Sequence, residues 1–137
     1  MTYQYKNSRV VNIAVVQMTC TEAKQPNVEK AVARIAEAAA RGANVVCLQE
    51  LFNTTYFCYE EEPRHWDLAE PIPGPTVEAM SAIAAEHRIV LIAPIYEKEM
   101  KGELYNTAVV LGTEGQIMGI YRKSSIPLVK TKTLVGN

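Results

Sequence analysis

Two short apolar runs bracket one amphipathic stretch, and that succession constrains the fold more than any other feature of the chain. Val11-Asn12-Ile13-Ala14-Val15-Val16-Gln17-Met18 is nearly continuous in apolar character and rich in β-branched residues. This is the composition of a strand covered on both faces. A polar connection follows over residues 21–25, closed by Pro26. Asn27 is then expected to cap a helix running to residue 40. Within it Val28, Ala31, Val32, Ile35, Ala38 and Ala39 share one stripe, with Glu29, Lys30, Arg34 and Glu37 off it. Gly42 is placed to end that helix. Val45-Val46-Cys47-Leu48 is a second run, again apolar on both faces.

The remaining pattern continues in the same alternation. A long segment over residues 53–75 carries aromatics, acids and prolines, and loops of that length are often functional. Pro75 suits the first turn of a second helix, with Val77, Met80, Ile83 and Ala84 as its stripe and an end near His87-Arg88. Residues 89–96 read as a third strand, with Pro94 near its end, and residues 98–103 as a turn around Gly102. Residues 105–111 and 116–123 read as two more strands, joined by the tight connection Gly112-Thr113-Glu114-Gly115. The order β-α-β-loop-α-β-β-β predicts an α/β layered protein, parallel at first and closing in an antiparallel hairpin. No internal repeat, low-complexity segment or linker interrupts it.

Composition excludes several function classes. The 137 residues are 48% hydrophobic and 21% charged, as in ordinary globular proteins. Fourteen basic against 15 acidic residues leave a net charge of -1, which calls for neither nucleic acid nor an anionic membrane. Arg122, Lys123, Lys130 and Lys132 are too small a cluster to change that. Residues 1–6 lack the apolar core of a signal peptide, no run approaches a membrane span, and a cytoplasmic location is expected. Cys20, Cys47 and Cys58 are odd in number and have no framework spacing, so free thiols are expected. Cys47, Cys58 and His65 fit no zinc pattern, so ordinary burial is expected of them and not a metal site. The glycines form neither a dinucleotide fingerprint nor a phosphate loop, which argues against a flavodoxin-like nucleotide binder.

Two charged residues stand where an α/β sheet places chemistry, beyond the carboxyl ends of strands. Glu50 follows the second strand and Lys123 ends the fifth. A carboxylate can serve as general base and an ammonium can stabilise an oxyanion. From the residues alone, a structural ion pair or two unrelated surface charges is the favoured reading, since such pairs are also common in plain scaffolds.

A resemblance adds to this reading. Val45-Val46-Cys47-Leu48-Gln49-Glu50-Leu51-Phe52 is similar to the first catalytic block of the nitrilase superfamily of carbon–nitrogen hydrolases. Tyr105-Asn106-Thr107-Ala108 resembles its Tyr-Asn-Ser/Thr block, and Gly115 through Tyr121-Arg122-Lys123, then Pro127, its Tyr-Arg-Lys block. The opening Ile13-Ala14-Val15-Val16-Gln17-Met18 and the segment Pro71-Ile72-Pro73-Gly74-Pro75 also fit, so the ordered blocks span residues 10–127. Residues 48–52, 56–58 and 68–75 are most similar to the N-carbamoylputrescine amidases, with β-ureidopropionases and other N-carbamoyl amidases near them. The resemblance implies attack of a cysteine thiolate on a C–N bond of a small N-carbamoyl amine or amide. Glu50 would be the base and Lys123 the oxyanion stabiliser, and no metal or organic cofactor is implied. Phe52, Tyr56 and Phe57 either line a substrate pocket near Glu50 or belong to the core, and Asn106 either supports the substrate site by hydrogen bonding or satisfies backbone in the hairpin. It implies the N-terminal half of an α-β-β-α sandwich: a mixed sheet with helices on one face and the other face uncovered. Homo-oligomers are expected of full-length relatives.

The chain departs from that pattern in three places. Ser125 stands where the family has histidine, no acidic residue follows Glu114, and no cysteine follows Lys123. Residues 1–137 are therefore expected to be a single truncated domain, with residues 128–137 a divergent tail and no activity alone. The alternative is a non-catalytic remnant that binds a partner or a full-length subunit. Glu60, Glu61 and Glu62 are a further expectation, an acidic patch that steers a cationic amine, although such triplets also occur as plain solvated loops.

Overall fold

The computed structural model describes residues 10–58 and 62–125. Glu60, Glu61, Pro127, Lys130, Lys132 and the segment 128–137, all singled out above, lie outside the described residues. Among the described residues, five strands form one sheet in the order β1 (Ile13–Val16), β2 (Val45–Leu48), β3 (Val90–Lys98), β4 (Leu104–Leu111) and β5 (Ile117–Arg122). β1, β2 and β3 run parallel, and β4 and β5 each pair antiparallel with the strand before. Two helices, α1 (Lys24–Ala40) and α2 (Pro75–His87), cross between the parallel strands, and a 3-10 turn at Pro63–Leu68 interrupts the long loop. The α/β order and the closing hairpin are those expected from the sequence.

The helices begin and end for local reasons. α1 starts three residues before the expected cap, so Pro26 lies in its first turn, where a missing N–H costs no hydrogen bond. Asn27 is consequently not a cap. It is wholly buried, and its Oδ1 accepts the Thr21 N–H at 2.8 Å. Its Nδ2 donates to Thr21 O at 2.7 Å and to Asn53 O at 3.1 Å. Gly42, at φ 87°, ends α1 as expected, and the Gly42 and Ala43 N–H groups donate back to Ala39 O and Ala38 O. Gly115 turns the β4–β5 hairpin at φ 80°, and a Cβ there would stand 2.6 Å from the Ser81 carbonyl oxygen, so glycine is required twice over.

Pro94 stands inside β3, not at its end, and the ladder explains why it is tolerated. Even-numbered residues of β3 turn their backbone groups to the β2 side: Val90 N–H donates to Asn44 O, and Lys98 N–H to Glu70 O. Pro94 shares that parity but lies past Ile92, the last residue paired with β2, so no ladder bond is lost.

The core lies between the helices and one sheet face. Ala31 and Ile35 of α1 and Val77, Met80 and Ala84 of α2 meet Val46, Leu91, Ala93, Ile95, Val109 and Leu111 of the strands. The other sheet face is open. Ile13 and Val15 are 69% and 78% exposed, which corrects the reading of β1 as covered on both faces. The one-sided arrangement agrees with a mixed sheet carrying its helices on a single face. Among the described residues no helix is long and apolar enough to cross a membrane.

Candidate active site

Glu50 lies two residues beyond β2, at the head of a sharp turn. Leu51 takes a left-handed conformation at φ 54°, which costs a branched side chain about 1–3 kcal/mol and must be held by its surroundings. Leu51 and Phe52 are fully buried. The Gln49 side chain accepts the Met18 N–H at 2.5 Å and donates to Cys20 Sγ at 3.3 Å, while Cys20 Sγ donates to Phe52 O at 3.0 Å. Asn53 Nδ2 donates to Thr76 Oγ1 at 3.0 Å, and Thr76 Oγ1 to Glu70 Oε1 at 2.9 Å. Glu70, itself buried, also accepts the Thr76 N–H at 2.9 Å and pairs with Lys24 Nζ at 2.9 Å. Burial raises its pKa, but the Lys24 and Thr76 donors outweigh that and hold it below the usual carboxylate range. The turn after Glu50 is thus tied to the first turns of both helices.

Lys123 follows β5 by one residue and extends its ladder, with its N–H donating to Asn106 O at 2.8 Å. Its Nζ reaches Glu50 Oε1 at 2.7 Å, across 73 residues of sequence. Asn106 Nδ2 donates to the same oxygen at 2.5 Å. Among the described residues no donor is assigned to Oε2. The Lys123 hydrogen bond lowers the Glu50 pKa, against burial and with help from Asn106. The same bond raises that of Lys123. At neutral pH the pair is therefore carboxylate and ammonium, the forms that a base and an oxyanion stabiliser need.

The other expected site residues divide. Asn106 joins Glu50 and Lys123. Tyr56 is 43% exposed and lines a cleft of about 400 Å³ with Phe57, His65 and Leu68. Phe52 does not line a pocket: its side chain is wholly buried in the core, beneath the turn that carries Glu50. A larger hollow of about 560 Å³ lies between the β1 edge and α1, and neither Glu50 nor Lys123 lines it. Cys58, one of the free thiols expected from sequence, stands within electrostatic reach of Glu50, Lys123 and the Tyr56 hydroxyl. Burial pushes its thiol up, so it is protonated at neutral pH. Burial does the same to Cys20. Among the described residues no three of His, Cys, Asp and Glu gather as metal ligands.

Sequence reasoning missed a second ion pair beside the first. Glu97 accepts Arg122 Nε at 2.9 Å and Nη2 at 2.6 Å, with Thr107 Oγ1 at 2.6 Å, and the Arg122 guanidinium lies 4.0 Å over the Tyr105 ring. The Arg122 hydrogen bonds hold Glu97 below the usual carboxylate range despite burial. The available signal was position alone, Arg122 being the immediate neighbour of Lys123.

Residues 12–135 match the carbon–nitrogen hydrolase family. A tomato (Solanum lycopersicum) N-carbamoylputrescine amidase is 34% identical over 123 residues, which is 89% of this chain and 41% of that protein. A citrullinase of Francisella tularensis is 33% identical over 118 residues, 85% of this chain and 41% of that one. The crystal structure of a carbon–nitrogen hydrolase from Helicobacter pylori G27 superposes with a TM-score of 0.79 at 34% identity, covering 85% of this chain and 40% of that one. The chain spans about two fifths of the length of the curated relatives it matches.

Proposed function

This chain belongs to the carbon–nitrogen hydrolase family, and from that premise we propose that Glu50 and Lys123 are the base and the oxyanion stabiliser of a site that hydrolyses a non-peptide C–N bond. The substrate class is an N-carbamoyl amine such as N-carbamoylputrescine, whose terminal ureido group is also that of citrulline. The carrying observation is the loading of Glu50. Lys123 and Asn106 both bond Oε1, which leaves Oε2 to take a proton. In the proposed reaction Glu50 accepts the proton of a thiol as sulfur attacks the carbamoyl carbon. The Lys123 ammonium donates to the oxyanion, and the leaving nitrogen departs with a proton. Water then cleaves the S-carbamoyl intermediate and returns the thiol, and the carbamic acid released breaks down, so the products are amine, ammonia and carbon dioxide.

Residues 1–137 do not supply the nucleophile in this proposal. Cys20 and Cys58 are held protonated by burial, and Cys47 lies within β2. The test fuses these residues, in register, to the part of the tomato relative beyond the matched region. Ammonia release from N-carbamoylputrescine is expected from the fusion and not from the 137 residues alone. E50Q and K123M should each lower it at least ~100-fold. A fusion as active with E50Q as without removes Glu50 as base. Release from the 137 residues alone overturns the assignment of no nucleophile. The exposed apolar side chains of the open sheet face, Ile13, Val15 and Tyr121, favour a second reading, a non-catalytic chain that pairs through that face. A stable oligomer of residues 1–137, with an inert fusion, would select it.

A further inference from the structure

We propose that Arg122 is a positioning residue for Lys123, holding the end of β5 through its paired hydrogen bonds to Glu97 so that the next side chain is delivered to Glu50. The inference rests on the reading of Glu50 and Lys123 as the working pair, and it concerns how that pair is kept in register.

β5 has little else to hold it. Among the described residues it is an edge strand, paired on one side only, and its register with β4 shifts at a bulge between Val110 and Leu111. Ile117, Met118, Ile120 and Tyr121 are between 40% and 63% exposed, so burial of its own side chains contributes little. Neither helix packs on it in strength. Lys123, one residue further on, has a long flexible stem and would lose considerable rotamer entropy on being fixed.

Arg122 supplies the missing anchor. Glu97 shares the parity of Leu91, Ala93 and Ile95, so it points to the helix side of β3, where its side chain is only 5% exposed. The ladders place Tyr105 opposite Glu97 and Arg122 opposite Thr107. Glu97, Tyr105, Thr107 and Arg122 therefore cluster on one face, across three strands. Both carboxylate oxygens of Glu97 are occupied, by the two guanidinium nitrogens and by Thr107. A planar fork held at two points, with its flat face on a tyrosine ring, fixes both the position and the roll of the strand end. Successive side chains of a strand point to opposite faces. With Arg122 clamped on the helix side, Lys123 must emerge on the other, where Asn106 and Glu50 lie. Lysine at 122 would keep the charge and lose the fork.

The Glu50 side-chain carboxyl is titrated by ¹³C NMR in the 137-residue chain as it stands and in R122M, R122K, E97Q and K123M. Lys123, Asn106, Tyr56 and Cys58 are the groups facing Glu50, and all but the target of K123M are retained. K123M defines the upward shift that follows complete loss of the lysine. R122M and E97Q are expected to move the Glu50 midpoint upward by most of that shift, and R122K by a smaller part of it. Core methyl shifts of Ile35 and Val109 report whether the fold persists. A Glu50 midpoint that stays at the wild-type value in folded R122M overturns the proposal. If R122M does not fold, E97Q, which keeps both side-chain shapes, decides in the same way. Hydrolysis does not enter the measurement, so failure here is distinct from failure of the proposed reaction.

Discussion

Two consecutive cations at the end of β5 meet two carboxylates on opposite faces of the same sheet, and the two pairs are built differently. Glu97 is 5% exposed, with Arg122 and Thr107 occupying both its oxygens. Glu50 is 37% exposed, and its assigned donors crowd onto Oε1. A buried carboxylate with every acceptor satisfied can only hold structure, because any change of protonation or partner leaves a polar group stranded. A half-open carboxylate with one oxygen to spare can exchange a proton. Two pairs of equal and opposite charge thus separate into a fastening and a candidate reagent through burial, donor count and the fork of the arginine.

The largest expected effect breaks that comparison at its buried member. Glu97→Ala removes the acceptor of Arg122 and Thr107 and should lose about 3 kcal/mol of unfolding free energy in urea. Glu50→Ala should stay within about 1 kcal/mol of the wild type, as half-exposed pairs do. Equal losses would mean that the two pairs do the same job.

Acid comes next. Both carboxylates have folded pKa values below their usual ones, so each contributes stability that is full above the unfolded value of about 4.3. That stability disappears as pH falls through the lower folded values. E97Q should flatten the acid limb of stability against pH, and E50Q should flatten it less. A steeper dependence on Glu50, followed by circular dichroism from neutral pH downward, would invert the assignment.

The smallest effect sharpens the comparison instead. In about 1 M salt, where the screening length is ~3 Å, the open pair should weaken and the buried pair should not. The Glu50 midpoint should drift upward by a few tenths of a unit while that of Glu97 holds. Parallel drift of the two would show that burial does not distinguish them.

Much of the architecture was readable because its signals are local. The stripe of Val28, Ala31, Val32 and Ile35 and the breaker Gly42 act over a few residues, so α1 was visible in sequence. Its start was not, because Asn27 has the chemistry of a cap and only the arrival of Asn53 from another part of the chain turns it into a buried link. Phe52 had the composition of a pocket wall, yet the left-handed turn at Leu51 accompanies its burial in the core. Glu97 carried no mark and Arg122 only its place beside Lys123, and 25 residues separate the two.

By itself the sequence determined the order of strands and helices, the mixed direction of the sheet, and the placing of Glu50 and Lys123 beyond strand ends. Those follow from side-chain period and breaker residues, which operate within one element. Only the tertiary structure decided that Lys123 and Asn106 share one oxygen of Glu50. It alone decided that Arg122 is clamped on the reverse face and that β1 shows its apolar residues to solvent. Each of these depends on which segments meet, and that is set by packing the helices on one sheet face, not by any neighbour in the chain.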